Sequence, residues 1–183
     1  IVPPGDIRNI LVAMADTDAE FLKVMQYRFD AKDDFFAKHA VGNLIIAAMT
    51  EMHGNIFDAV QYLANFMHVQ GHIYPVSNEP LVLHAEFKNG NTVAGEAEIT
   101  HAHQTIDHVW VTGDEPGEEP KAAPEVVEAI LSADLIVYGP GSLFTSILPN
   151  VVVPEVREAL QLTKAKQVYI ANIMTQKGET DAY

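Results

Sequence analysis

Apolar positions in the first third of the chain, from Gly5 to Phe66, recur at helical spacing. Thr17-Asp18-Ala19-Glu20 reads as a capping box, after which Phe21, Val24, Met25 and Arg28 return to one face. Asn55 reads as the N-cap of a further helix, and Ile56, Val60, Leu63 and Met67 then form one apolar stripe. That stripe is core, so this part is expected to be helical.

From Ile73 to Thr112 the period falls to two. Leu81 to Phe87 and Ala97-Glu98-Ile99 flank the turn formers Asn89-Gly90-Asn91, which predicts a β-hairpin with one wet face, followed by a strand from Asp107 to Val111. Gly113 to Pro124 is rich in Asp, Glu, Pro and Gly and reads as an exposed connector. After it the signals are those of a parallel α/β layer. A helix from Glu125 to Ser132 precedes the strand Leu135-Ile136-Val137-Tyr138, a glycine turn follows, and a helix from Pro154 to Leu162 leads to a strand from Gln167 to Ala171. The short β-branched runs predict buried parallel strands. The expected class is α/β, a single domain fragment over 1–183 with a helical part (1–70), a β-hairpin part (71–112) and a parallel α/β part (113–183).

Composition narrows the function classes. The 183 residues suffice to bury roughly 70% of the unfolded surface. The chain has no cysteine, so disulfides, a thiolate nucleophile and a cysteine zinc site are excluded. A net charge of −14, with 25 acidic against 11 basic residues and no basic stripe, argues against nucleic acid as a partner. No apolar run approaches the roughly 20 residues of a membrane span, and Ile1-Val2-Pro3-Pro4 lacks the charged start of a signal peptide, so a cytoplasmic location is expected. An acidic protein that holds phosphate must do so with backbone N–H groups, hydroxyls or a bridging cation, because its own net field repels anions.

Ligands of parallel sheets collect at the carboxyl ends of strands, and two loops qualify. In Gly139-Pro140-Gly141-Ser142 the glycines permit tight geometry and Ser142 is placed to cap a short helix ending at Pro149, with Thr145 and Ser146 as further hydroxyl donors. A simple tight turn is the plainer reading of the glycine pair; the strand end favours an anion site. Asn172 and Thr175, in the polar loop after the last strand, could read a sugar or base, although Asn172 could also serve only its own backbone. The two loops are expected to face one another.

In Pro3-Pro4-Gly5-Asp6-Ile7-Arg8-Asn9, Asp6 is placed as a helix cap, while Arg8 and Asn9 form a polar pair able to hold phosphate or carboxylate. Gly42-Asn43 opens a buried helix, with His39 just before it. His101 and His103 fall on one face of an expected strand, yet no third ligand is spaced to complete a metal site, and surface histidines are the better reading. The acidic run Asp114, Glu115, Glu118 and Glu119 reads as a solvated loop.

Taken in order, Pro4-Gly5-Asp6-Ile7-Arg8-Asn9, Gly42-Asn43-Leu44, Gly139 through Asn150 and Tyr169-Ile170-Ala171-Asn172 through Thr180 resemble the bacterial gluconeogenesis-factor (YvcK-like) family. That family is similar in fold to the CofD-like phospholactate transferases. The resemblance implies a three-layer Rossmann-like core with a mostly parallel sheet, carrying a helical segment and a β-hairpin insertion. It implies binding of UDP-sugars such as UDP-N-acetylglucosamine and a regulatory role in gluconeogenic growth, cell shape and cell-wall synthesis. It also implies that the chain is truncated at both ends, because the family's glycine-rich first turn and a later Asp- and Ser-rich loop would lie upstream of Ile1 and the family continues beyond Tyr183. Tyr138 and Phe144 depart from the family pattern, where a smaller aliphatic residue and a tyrosine are usual.

Two functions follow as expectations. The first is a nucleotide-sugar-binding regulator in which Gly139, Gly141, Ser142, Thr145 and Ser146 hold phosphate and Asn172 and Thr175 orient the remainder, with Asp6, Arg8, Asn9, Gly42 and Asn43 as further binding residues. The second is a phospholactate-type transferase acting on a phosphorylated substrate, which would need Mg²⁺ held by Asp6 or by acidic residues outside this chain. A transferase should show a second carboxylate cluster near the glycine turn, and the nearest acidic residues are Asp134, which precedes the strand and points away from its carboxyl end, and Glu155. No other cofactor is implied, and self-association stays open.

Overall fold

The computed structural model describes residues 5–29, 39–113, 118–177 and 179–180. Pro3 and Pro4, the acidic Asp114 and Glu115, and Asp181 to Tyr183 lie outside them. The fold is mixed α/β and divides into two compact units, Ile1–Asn78 and Glu79–Tyr183. No helix among the described residues is long and apolar enough to cross a membrane.

The first unit contains α1 (Gly5–Met14), α2 (Ala19–Gln26), α3 (Val41–His53) and α4 (Ile56–Phe66). Asn55 caps α4, its side-chain oxygen accepting from Asp58 N at 2.8 Å, and the stripe it introduces is the core: Ile56, Val60, Leu63 and Met67 are all buried. They close against Leu11, Met25, Ile46 and Ile73. At about 1.5–3 kcal/mol for each fully buried aliphatic side chain, this cluster is what orders the unit.

The α2 region differs from the sequence reading in two ways. Asp18, not Thr17, is the cap, accepting from Glu20 N and Phe21 N at 3.0 and 3.1 Å. The carboxylate one residue nearer the helix reaches both free N–H groups and complements the positive end of the helix. The helix stops at Gln26 because Tyr27 is extended, so Arg28 leaves the helical face and instead joins Ala40 in an isolated antiparallel bridge. Of the proposed face Met25 is buried and Val24 is exposed.

The second unit opens with an antiparallel sheet of order β2-β1-β3, formed by β1 (Leu81–Phe87), β2 (Thr92–Ala94) and β3 (Ile106–Gly113). The turn at Asn89-Gly90-Asn91 is present, with Gly90 at φ 82° and the Asn89 side chain accepting from Asn91 N at 3.0 Å. The returning strand is Thr92–Ala94, however, and Ala97-Glu98-Ile99 belongs to α5 (Glu96–Ala102). Gly95, at φ 100°, turns the chain out of the sheet, and its carbonyl accepts from Ile99 N at 2.9 Å. Glu96 and Glu98 then sit in the first turn, where negative charge is favoured. A three-residue alternation cannot distinguish strand from helix, and the glycine decided it. His101 therefore lies in the last turn of α5 and His103 is its left-handed C-cap; neither is on a strand.

The remainder runs α6 (Pro124–Ser132), β4 (Leu135–Tyr138), a π-helical turn (Leu143–Ile147), α7 (Leu148–Val151), α8 (Pro154–Leu162) and β5 (Lys166–Tyr169). β4 and β5 pair in parallel, from Leu135 opposite Lys166 to Tyr138 opposite Tyr169, and this is the parallel pairing among the described residues. The expected burial of these strands is not found. Leu135 and Val137 are about half exposed, as are Val168 and Ile170, because the described residues place nothing over that face of the pair. The strand of Gln167 to Ala171 starts one residue earlier and ends at Tyr169.

Candidate functional site

Beyond β4 the chain turns at Gly139, which has φ 83° and joins Pro140 through a cis peptide. A Cβ at Gly139 would stand 3.1 Å from the Ile170 carbonyl oxygen and 3.2 Å from Ile147 Cδ1, so both backbone angle and space demand glycine. Ser142 then caps the π-helical turn, its Oγ accepting from Thr145 N at 3.2 Å. The widened turn carries Ile147 N and Leu148 N to the carbonyls five residues back, Ser142 and Leu143. Pro149, having no N–H to give Thr145, permits this, and it sits inside α7; the helix does not end there. Phe144 anchors the turn by packing with Ala85, Phe87, Ile99, Ile106 and Val109 in the core of the antiparallel sheet.

The loop after β5 comes back over this turn. Asn172 Nδ2 donates to the Gly141 carbonyl at 2.8 Å and lies 3.3 Å from Gln176 Oε1. Gln176 N donates to Thr180 Oγ1 at 2.8 Å, and Glu179 N and Thr180 N donate to the Gln176 carbonyl. This ties the loop into a compact bend. A cavity of about 300 Å³ opens in it, walled by Leu143, Tyr169, Asn172, Thr175, Gln176 and Thr180, with the exposed Ile173 and Met174 on its lip. Tyr138 donates its phenol proton to Gln167 Oε1 at 2.5 Å, and burial pushes the phenol pKa up.

Glu179 is the residue that sequence reasoning missed. It is 4% exposed, and its carboxylate accepts from the Ser142 hydroxyl, with Thr145 Oγ1 3.5 Å from its other oxygen. Thr145 Oγ1 donates to Ser142 Oγ at 2.8 Å. Ser142 Oγ thus gives its single proton to Glu179 and accepts twice, from Thr145 N and Thr145 Oγ1, which saturates it. The carboxylate next to the glycine turn is accordingly Glu179, and neither Asp134 nor Glu155 fills that position. Asp134 is at the start of β4, its carbonyl accepting from Lys166 N, and Glu155 accepts from Ala122 N at 3.3 Å. Ser146 contributes through its backbone, its carbonyl accepting from Asn150 Nδ2 at 2.7 Å.

The other predicted site residues lie in the first unit. Asp6 is exposed within the first turn of α1, which already begins at Gly5, so it does not cap from outside. Arg8 is buried, and its Nη2 donates to Asn9 Oδ1 at 2.6 Å while Nε and Nη1 are buried without an acceptor. Desolvation, and then the nearby Arg28 charge, lower its pKa. Gly42 is required by close approach, since a Cβ there would stand 2.6 Å from the Met25 carbonyl oxygen and 2.9 Å from Arg8 Cγ and Cδ. Asn43 Oδ1 is likewise buried without a donor. His39 is exposed. Among the described residues no group of His, Asp and Glu is arranged as a metal cage.

The model of the family described as 2-phospho-L-lactate transferase CofD matches residues 1–183. A Streptococcus pyogenes relative is 54% identical over 183 residues, all of this chain and 56% of its own length. The Bacillus subtilis protein named gluconeogenesis factor is 44% identical over the same span. A crystal structure of protein BH3568 from Bacillus halodurans superposes with a TM-score of 0.92 at 40% identity, covering 99% of this chain and 57% of that one. The chain therefore spans little more than half the length of the curated relatives it matches. On this match, and with relatives that carry the gluconeogenesis-factor name, the chain belongs to the 2-phospho-L-lactate transferase CofD family.

Proposed function

We propose that this chain forms part of a UDP-sugar-binding regulatory protein of gluconeogenic growth, cell shape and cell-wall synthesis. The observation that carries the reading is the cavity after β5, at the carboxyl end of a parallel strand pair, where this class of sheet binds its ligands. Its walls are of two kinds. Leu143 and Tyr169 offer apolar and aromatic surface to a base or sugar ring, while Asn172, Thr175, Gln176 and Thr180 offer amide and hydroxyl groups to its polar edges. The relatives' gluconeogenesis-factor name supports the biological role. Calorimetry on the full-length protein is expected to show heat on addition of UDP-N-acetylglucosamine, and failure of every UDP-sugar to bind would remove the reading.

Glu179 favours a second reading, a phospholactate-type transferase. A buried carboxylate beside two hydroxyls at the glycine turn supports it, a single carboxylate where a cluster is expected. Glu179 and Thr145 are the oxygen donors that would hold a magnesium ion, which one carboxylate and substrate phosphates commonly suffice to bind; Ser142 Oγ, already saturated, would first have to exchange a hydrogen bond. When bound, that ion supplies charge neutralisation to a transferring phosphoryl group. The chain's own part is to hold the Ser142 hydroxyl oriented and to keep the carboxylate dry. Metal-dependent product from the full-length protein and a phosphorylated donor, lost in Glu179→Gln, is the expected result for a transferase. No product under conditions that serve an authentic transferase would eliminate it.

A further inference from the structure

Arg8 is 7% exposed, and most of its N–H bonds, those on Nε and Nη1, meet no acceptor. Among the described residues its acceptor is the neutral amide oxygen of Asn9, and no carboxylate among them pairs with it. A buried charge without a partner costs several kcal/mol, and native proteins keep such groups where a counter-ion or ligand completes them. The Arg8 stem also has a particular neighbour. Its stem lies on Gly42, the second residue of the 13-residue helix α3, where the absent Cβ leaves it room. Helix α3 begins after Ala40, which offers no side-chain cap; its Val41 N–H already donates to the Tyr27 carbonyl at 2.9 Å, and it is at Gly42, in the same positive first turn, that the Arg8 stem meets the helix.

We infer that the buried Arg8 guanidinium and the first turn of α3 form an oxyanion subsite that takes a phosphate group. Arginine donors and helix N-termini each select phosphate oxygens, and here the two coincide. Arg28 lies close enough for its charge to act on Arg8. Asn43 Oδ1, the residue after Gly42, needs a donor, and hydrogen phosphate or a phosphate ester with a neighbouring hydroxyl brings one. The subsite stands on the first unit alone and does not depend on the UDP-sugar reading.

The test uses the full-length protein, with inorganic phosphate and glycerol 3-phosphate as separate probes in thermal melts at constant ionic strength. Either probe is expected to raise the wild-type melting temperature where chloride does not, because a ligand of the native state stabilises it by mass action. The probe with the larger shift identifies the free ion or the ester as the source. Arg8→Met is expected to melt at or above the wild-type temperature without phosphate, since it removes an uncompensated buried charge, and to lose the phosphate response. If Arg8→Met does not fold, Arg8→Lys keeps the charge and is expected to weaken phosphate binding at least tenfold. A wild-type protein indifferent to both probes, or a folded Arg8 variant that responds as wild type does, overturns the inference. Because neither probe is a nucleotide, a protein that binds no UDP-sugar can still show the Arg8-dependent shift, so the two readings fail separately.

Discussion

The two units solve opposite problems. The helical unit is well closed on its apolar side, with Leu11, Met25, Val60 and Met67 fully buried, yet it holds polar atoms, Arg8 Nε and Nη1 and Asn43 Oδ1, that lack partners. In the α/β unit the polar site is closed on itself, since Ser142 Oγ is saturated and Asn172 already donates to Gly141. Among the described residues, in contrast, nothing covers Leu135, Val137 and Val168 of its parallel strands, nor Ile170 just beyond them. The difference bears on binding. A ligand at an unsatisfied group gains interactions outright, whereas one at a saturated cluster must exchange them, and its net gain is smaller.

The largest expected effect probes how the second unit holds its glycine turn. Phe144→Ala removes the ring that ties the turn to the antiparallel sheet and should destabilise the unit by about 3–5 kcal/mol, read by denaturant melts. Retention of stability would show that the loop hydrogen bonds alone hold the turn. Gly42→Ala attacks the first unit at its closest approach, and the clash with the Met25 carbonyl and the Arg8 stem should cost about 1–3 kcal/mol by the same measurement. A neutral Gly42→Ala would mean that α3 shifts freely and that its fit around Arg8 is loose.

Smaller effects sharpen the contrast. Asp18→Ala, which removes the α2 cap, should cost about 1 kcal/mol in the first unit, and Thr17→Ala should cost much less. Tyr138 reports on the second unit through pH. Its native phenol pKa is raised, so its contribution to stability is present below the unfolded value near 10.0 and is lost as pH rises through the native value. Tyr138→Phe should flatten that alkaline loss in a pH series of melts.

Local signals were legible wherever the deciding interaction was itself local. Asn55 and the stripe after it could be read because the cap and its acceptor lie three residues apart. The glycine turn was legible for the same reason, as a strand followed by Gly139, Gly141 and a capping serine. Ala97-Glu98-Ile99 was misread because its period is too short to choose, and Gly95 redirects the chain. Glu179 could not be found along the chain, since its partner Ser142 is 37 residues away and closer carboxylates compete for notice. The exposure of β4 was hidden too, because a β-branched run shows strand propensity but not what covers the strand.

Hydrogen exchange on the full-length protein, with and without UDP-N-acetylglucosamine, tests the central claim most directly. The account predicts slowed exchange in residues 139–146 and 172–177, the turn and the loop joined by the Asn172 to Gly141 hydrogen bond. Ligand binding that protects other segments and leaves both of these unchanged would contradict it.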